Sequence, residues 1–268
     1  MTYHEPHIDT TTAHPARRYN YWLGGKDNFA VDRASADKIE AQYPAIRTAA
    51  FENRGFLKRT VRHLAGDAGI RQFLDIGTGL PTADNTHEIA QAVAEQSRVV
   101  YVDNDPIVLT HARALLTSSP AGATAYIDGD LRDPQHIIGL ARELLDFTQP
   151  IAVMLVAVLH FITDDEQAYA VVRELLGQLA PGSYLAASHA TGDFLDDVIR
   201  EQLSQYDFIL RDRDRFAGFF TGLELVEPGI SPITLWRPES DTVVEPELAS
   251  IYGALARVPG PIPARHDR

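Results

Sequence analysis

There is no cysteine in this chain, which removes disulfides, thiolate nucleophiles and zinc–sulfur sites together. Positive charge is scarce: 24 Lys and Arg stand against 37 Asp and Glu, a formal net charge of −13. A surface of that sign repels phosphate backbones, so no nucleic-acid partner is expected and a small substrate is favoured. Long hydrophobic runs are missing too. The longest, Ile151–Ile162, is too short to span a bilayer. Met1–Pro15 is polar and rich in His and Thr, without the apolar segment of a signal peptide. A soluble, cytoplasmic chain without membrane contact is the expectation. His4 and His7 have the spacing of a metal clip, but a flexible tail lacks the surrounding hydrogen bonds that hold metal ligands in place, and no metal is expected. The small cation cluster Arg211, Arg213 and Arg215 alternates with Asp212 and Asp214 and reads as a solvated helix start.

What is present is alternation. Hydrophobic residues make up 45% of 268, enough for one large domain. Gln72–Ile76 is an apolar run that breaks into Gly77-Thr78-Gly79, and Arg98–Val102 is a second run ending at Asp103. Two parallel strands of a nucleotide-binding sheet have this form, with glycines that admit close backbone approach and an acid placed for ribose hydroxyls. Further strands are predicted at Ala123–Ile127, Ile151–Leu159 and Ser183–Ser188, with helices between them. Asn85-x-x-Glu88 and Thr163-x-x-Glu166 read as capping boxes, and Asp105-Pro106 as a capped helix start. Upstream, helices are predicted over Asp32–Ala41 and Ala49–Leu64. Downstream, Phe194–Gln205 and Arg213–Phe220 read as helices. Leu223–Glu227 and Ile233–Arg237 are joined too tightly to be parallel. Five parallel strands plus a terminal antiparallel hairpin follow, with Glu247–Arg257 as a last helix. The organisation expected is a tail over 1–15, one domain over 16–257 with a helical lid (16–66) and a core (70–237), and a Pro-rich tail over 258–268.

In an open parallel sheet, ligands sit outside the carboxyl ends of the strands. The third glycine of a dinucleotide fingerprint is replaced by Thr82, and Pro81 spoils a pyrophosphate-binding helix start. A nucleoside without phosphate therefore fits better than NAD. Asp103 is placed to take two ribose hydroxyls, with Asn104 beside the purine, because Asp105 already caps the next helix. Asp130 can accept from an exocyclic adenine amine while its own N–H and that of Leu131 meet ring nitrogens. His160 and His189 follow strands four and five. His160 is the candidate general base and His189 the weaker one.

Together these residues resemble the class I S-adenosylmethionine-dependent methyltransferases, whose first motif is matched by Leu74-Asp75-Ile76-Gly77-Thr78-Gly79. More narrowly, the chain is similar to a bacterial S-adenosyl methyltransferase family first catalogued as a domain of unknown function. The similarity covers roughly Ala16 to Trp236 and rests on Tyr19–Phe29, Phe73–Thr82, Val100–Pro106 and Gly129–Pro134. The resemblance implies an α/β, Rossmann-like fold with a seven-stranded sheet. It also implies S-adenosylmethionine as cofactor and S-adenosylhomocysteine as product, but no substrate; direct transfer to a small-molecule acceptor is the expectation that the charge balance favours. The cofactor-binding set implied is Tyr21, Gly25, Asp75, Gly77, Thr78, Gly79, Asp103, Asn104, Asp130, Leu131 and Val156. Within it, Tyr21 would face the sulfonium and Gly24-Gly25 would give a hinge or close approach. The Asn/Asp-Pro-Pro-Tyr motif of amino-methylating enzymes is missing. Val158-Leu159-His160-Phe161 resembles instead the Leu-His-Asp/His-aromatic motif of some O-methyltransferases, in which the histidine acts as base. The alternative carried forward is a non-catalytic regulator that binds S-adenosylmethionine or S-adenosylhomocysteine. A nicotinamide oxidoreductase is disfavoured by Thr82 and the antiparallel hairpin.

Overall fold

Five parallel strands form where the sequence places its apolar runs, as seen in a computed structural model that describes residues 8–81, 83–115 and 118–260. They are β1 (Gln72–Ile76), β2 (Arg98–Asp103), β3 (Ala123–Asp128), β4 (Ala152–Val156) and β5 (Tyr184–Ala190). Between them run α4 (Thr86–Val93), α5 (Pro106–Leu115), α6 (Pro134–Ala141) and α7 (Asp165–Leu176), after α1 (Pro15–Trp22), α2 (Ala30–Gln42) and α3 (Ile46–Gly66). The sheet order is β3-β2-β1-β4-β5, so the order reverses between β1 and β4, the point at which such sheets open a ligand crevice. Strands β1 and β4 are buried on both faces, hence their unbroken aliphatic sequences.

Local chemistry sets the helix starts. The Asn85 N–H donates to Glu88 Oε2 at 2.7 Å, closing the expected box. In place of the second box there is a simple cap one residue later: Asp164, not Thr163, caps α7 by accepting from the Gln167 N–H at 2.7 Å. Carboxylate caps also start α8 (Asp197–Leu203) at Asp196 and α9 (Arg213–Ala217) at Asp212, each aligned with the positive end of its helix.

The C-terminal reading needs correction. Ile251–Arg257 is a strand (β8), preceded by a single helical turn, α10 (Pro246–Ala249). It lies antiparallel beside β5, Tyr184 opposite Arg257 and Ala190 opposite Ile251. The two segments expected to form a hairpin with each other both pair with β8 instead, as β6 (Glu224–Leu225) and β7 (Ser231–Pro232). Both lie on the edge of β8 away from β5, so they act as one interrupted edge strand. Among the described residues the eight strands thus fill seven positions, with β8 as the antiparallel member. Its sequence shows no polar alternation because Tyr252–Ala256 is buried on both faces, and such a run does not distinguish strand from helix.

The N-terminal span also divides. α3 packs Phe56, Leu57, Val61 and Leu64 against the sheet together with Phe73, Met154 and Trp236. α1 and α2 form a separate cluster around Trp22 and Ile39. Ile8, within the expected tail, packs with Leu80, Ile107 and Val108. His4, His7, Thr82 and residues 261–268 of the Pro-rich tail lie outside the described residues. No helix among the described residues is long and apolar enough to cross a membrane.

Gly253 admits the crossing of α3 over β8, since a Cβ there would stand 2.7 Å from Phe56 Cε2 and 2.8 Å from Ile233 Cγ2. Gly253→Ala should therefore overpack this face and lower stability by about 1–3 kcal/mol, read as a fall in urea midpoint with unchanged slope. An unchanged midpoint would mean that α3 does not rest on β8.

Candidate functional site

A cavity of about 390 Å³ opens at the carboxyl ends of β1–β5, within the range of small-molecule pockets, roughly 300–1,000 Å³. Asp75, Gly77, Thr78, Gly79, Asp103, Asn104, Asp130, Leu131, Val156 and His160 all line it. Residues far apart in sequence are brought together because each ends or follows a strand at the same sheet edge.

The turn after β1 depends on backbone geometry. Gly77 has φ +73° and Gly79 φ +67°, a region that side chains with a Cβ rarely occupy. A Cβ on Gly77 would lie 2.5 Å from Val158 Cγ2, so this glycine fits the turn after β4. A Cβ on Gly79 would meet no atom within 4 Å. In the turn after β4, Ala157 holds φ +58° without being glycine, and its N–H donates to Ser188 Oγ at 3.0 Å. Strain of this kind is held by its surroundings and concentrates at functional sites.

At the tip of β2, Asp103 is 5% exposed. Its Oδ2 accepts from the Gly79 N–H at 2.8 Å and its Oδ1 from the Asp105 N–H at 2.9 Å. Each carboxylate oxygen keeps a further lone pair. Burial pushes the Asp103 carboxyl above its usual range, against the pull of those two backbone donors. Asp105 caps α5 through the Ile107 N–H, as expected. It also takes a two-pronged ion pair from Arg17 on α1, 2.8 Å from Nε and 3.1 Å from Nη2. At the end of β3, Asp130 accepts from Asn104 Nδ2 at 3.3 Å and pairs with Arg132 at 3.0 Å.

Asp75 also faces the cavity, buried, with its Oδ2 accepting from the Thr86 hydroxyl at 2.6 Å. Burial pushes its carboxyl up to about 6, offset partly by the Thr86 bond and by the charge of Arg54. Arg54 lines the same cavity and ties α3 to the loop after β1 through the carbonyls of Ala83 and Asp84.

His160 sits in a short 3₁₀ turn, Leu159–Phe161. Burial first, then the charge of Arg211, pulls its imidazole down to about 3, so at neutral pH it is uncharged and a weaker base than the sequence suggested. His189 has a settled structural place: its Nε2 accepts from Arg211 and its Nδ1 faces the Ala190 carbonyl at 2.7 Å. Arg211 corrects the solvated reading of its cluster. It is fully buried, donating to the carbonyls of Leu159 and Ile162 and to Asp165, and so braces the turn that carries His160.

Two expected residues are misplaced. Tyr21 and Gly25 are not among the cavity's lining residues. The Tyr21 hydroxyl donates to Asp37 and its ring stacks under Arg47, while a Cβ on Gly25 would strike the Asn20 side chain, not a ligand. The aromatics of α1 that line the cavity are Tyr19 and Trp22. They are three residues apart on one helix face, whereas Tyr21 is turned roughly 200° from Tyr19, a signal present in the sequence but not used. Asn53 was also missed. It accepts from the Ser188 hydroxyl at 2.6 Å and donates to the Tyr19 hydroxyl at 3.1 Å, which in turn donates to the Ala50 carbonyl. A buried chain of hydrogen bonds thus joins β5, α3 and α1.

The strand order and the crevice at its switch point define a class I methyltransferase fold. Human N-acetylserotonin methyltransferase, solved in complex with SAM, shares this fold at a TM-score of 0.51 and 14% identity, over 92% of this chain and 64% of that one. The S-adenosyl methyltransferase family profile matches residues 1–259, and the chain belongs to that family, whose methyl donor is S-adenosylmethionine (SAM). A DUF574 family protein from Streptomyces avermitilis is 45% identical, with a TM-score of 0.90 over 94% of this chain and 100% of that one. A protein from Thermobifida fusca that carries a provisional methyltransferase description is 40% identical, with a TM-score of 0.84 over 94% and 97%. No curated protein matches the chain.

The Asp75 carboxyl keeps its proton to a higher pH when folded than when unfolded. Stability tied to it is present below the unfolded value of about 3.9 and is lost as pH rises through about 6. Asp75→Asn should therefore stabilise the ligand-free chain at pH 7.5, by at most about 3 kcal/mol, and change little at pH 4. Urea titrations at the two pH values measure this, and equal effects at both would remove Asp75 as an uncompensated buried charge.

Proposed function

We propose that this chain transfers the methyl group of SAM directly to a small-molecule acceptor. The observation that carries the reading is the meeting at one cavity of the Gly77–Gly79 turn, the buried Asp103 carboxylate and Asp130. Their chemistry suits the donor. Asp103 has free lone pairs for the ribose diol, and Gly79 faces open space where a Cβ would otherwise project. Asp130 with Leu131 would meet the adenine, with Asn104 beside it and Val156 along its wall. Asp75 and Arg54 supply opposite charges for the ammonium and carboxylate of the amino-acid end, next to Thr78. Tyr19 takes the place foreseen for Tyr21 near the methyl-bearing end.

When bound, SAM supplies a methyl group made electrophilic by its sulfonium and leaves as a neutral thioether. The chain's own work is alignment and exclusion of water. His160, neutral and turned into this cavity by the Arg211-braced turn, would orient an acceptor O–H or N–H by hydrogen bonding. With its imidazole near 3, it contributes little as a proton acceptor at pH 7. That weakness also favours a second reading, a protein that binds SAM or S-adenosylhomocysteine and senses their balance without turnover. Release of S-adenosylhomocysteine on incubation with SAM and a metabolite extract separates the two, since a sensor binds the donor but yields no product.

Asp103→Ala should weaken S-adenosylhomocysteine binding by about 100-fold in calorimetry. Asp103→Asn, which can keep the acceptor toward Gly79, should fall between the two. Unchanged affinity in both variants would overturn the donor site. His160→Ala should lower turnover about tenfold with donor affinity retained. The wild-type rate should show no inflection between pH 5.5 and 8 that disappears in this variant, because the group stays neutral throughout. Such an inflection would restore His160 as an ordinary base.

A further inference from the structure

The cavity has two chemically different sides. Toward β1–β3 its wall carries Asp75, Asp103 and Asp130. Toward β4, β5 and β8 it turns apolar: Trp22 on α1, Ile39 on α2, Ile46 and Ala49 on α3, Phe208 after α8 and Ile251 at the start of β8. Ile251 pairs with Ala190 across β8 and β5, which sets this wall at the same sheet edge as the strand ends of the polar side. The charged residues among the described lining of the apolar side are Arg18 and Asp207, and they bond to each other at 2.6 Å. A charged molecule entering here would shed water without meeting an unpaired counter-charge.

The aromatic rings of Trp22, Phe161 and Phe208 all line the cavity, offering flat faces to a ring-shaped guest. Burial and Arg211 keep His160 neutral, so it adds no charge to this side.

We infer that the methyl acceptor is an uncharged, largely apolar ring compound that packs against Trp22, Phe161 and Phe208. The inference rests on the reading of the polar side as the SAM site, since the apolar side is the space left for the second substrate.

Calorimetry on the full chain tests both in order. S-adenosylhomocysteine is titrated first; the loaded protein is then titrated with 2-naphthol and, separately, with naphthalene-2-carboxylate, which has the same rings and a negative charge. 2-Naphthol should bind at least about tenfold more tightly than the carboxylate. Trp22→Ala, which removes a ring from this wall, should weaken naphthol about fivefold or more while S-adenosylhomocysteine affinity shifts by less than about twofold. Phe208→Ala, on a separate segment of the same wall, should weaken naphthol likewise and serves if Trp22→Ala fails to fold. No naphthol binding to the loaded protein, equal or tighter binding of the carboxylate, or variants that bind naphthol like the parent would overturn the inference and leave the donor site standing. Failure of S-adenosylhomocysteine itself to bind would overturn the donor reading and the inference with it.

Discussion

Two carboxylates two residues apart hold the site together. Asp105, fully buried, receives the Arg17 guanidinium and fixes α1 over the end of the sheet, while its own N–H bonds to Asp103. Asp103 then grips the Gly79 N–H and so sets the turn after β1. A buried ion pair is a doubtful source of net stability, because desolvation offsets most of its Coulomb gain. Its geometry is nonetheless restrictive: the two-pronged contact allows one placement of α1. Removing either partner would strand a charge in the interior. The N-terminal segment is thus a wall of the cavity, fixed to the same two residues that shape its floor.

Much of this was legible in the sequence where local chemistry is strong. The Asn85–Glu88 box and the Asp105-Pro106 helix start rest on interactions within a few residues, and Gln72–Ile76 is marked as a strand by its apolar run ending in a glycine turn. Ten of the twelve expected site residues line one cavity, since strand ends in an open parallel sheet necessarily share an edge. The illegible parts depend on partners distant in sequence. Arg211 looked solvated because its neighbours are acids. Its actual partners, Leu159, Ile162, Asp165 and His189, lie 22 to 52 residues away. β8 was missed because burial on both faces erases alternation. Tyr21 was expected where Tyr19 and Trp22 stand because an aromatic cluster, unlike a helix phase, does not say which ring turns inward.

The two sides of the cavity express a division of labour. The polar side collects buried acids, two of which, Asp75 and Asp103, are held above their usual range by desolvation. A site that confines anions in this way is prepared for a ligand bearing positive charge and hydroxyls, and SAM bears both. The apolar side offers shape and aromatic side chains instead. The turn with His160, braced by Arg211, lines the same cavity, as does Ala157 with its positive φ.

The position of β8 has a consequence for how the molecule is made. Asp75, Asp103 and Asp130 of the polar side all precede residue 160, whereas the apolar side draws on Phe208 and Ile251, and Ile251 sits in the strand that wedges between β5 and the β6–β7 edge. On a ribosome the apolar wall is therefore supplied last, together with Tyr252 and Leu255, which complete the two cores on the faces of the sheet.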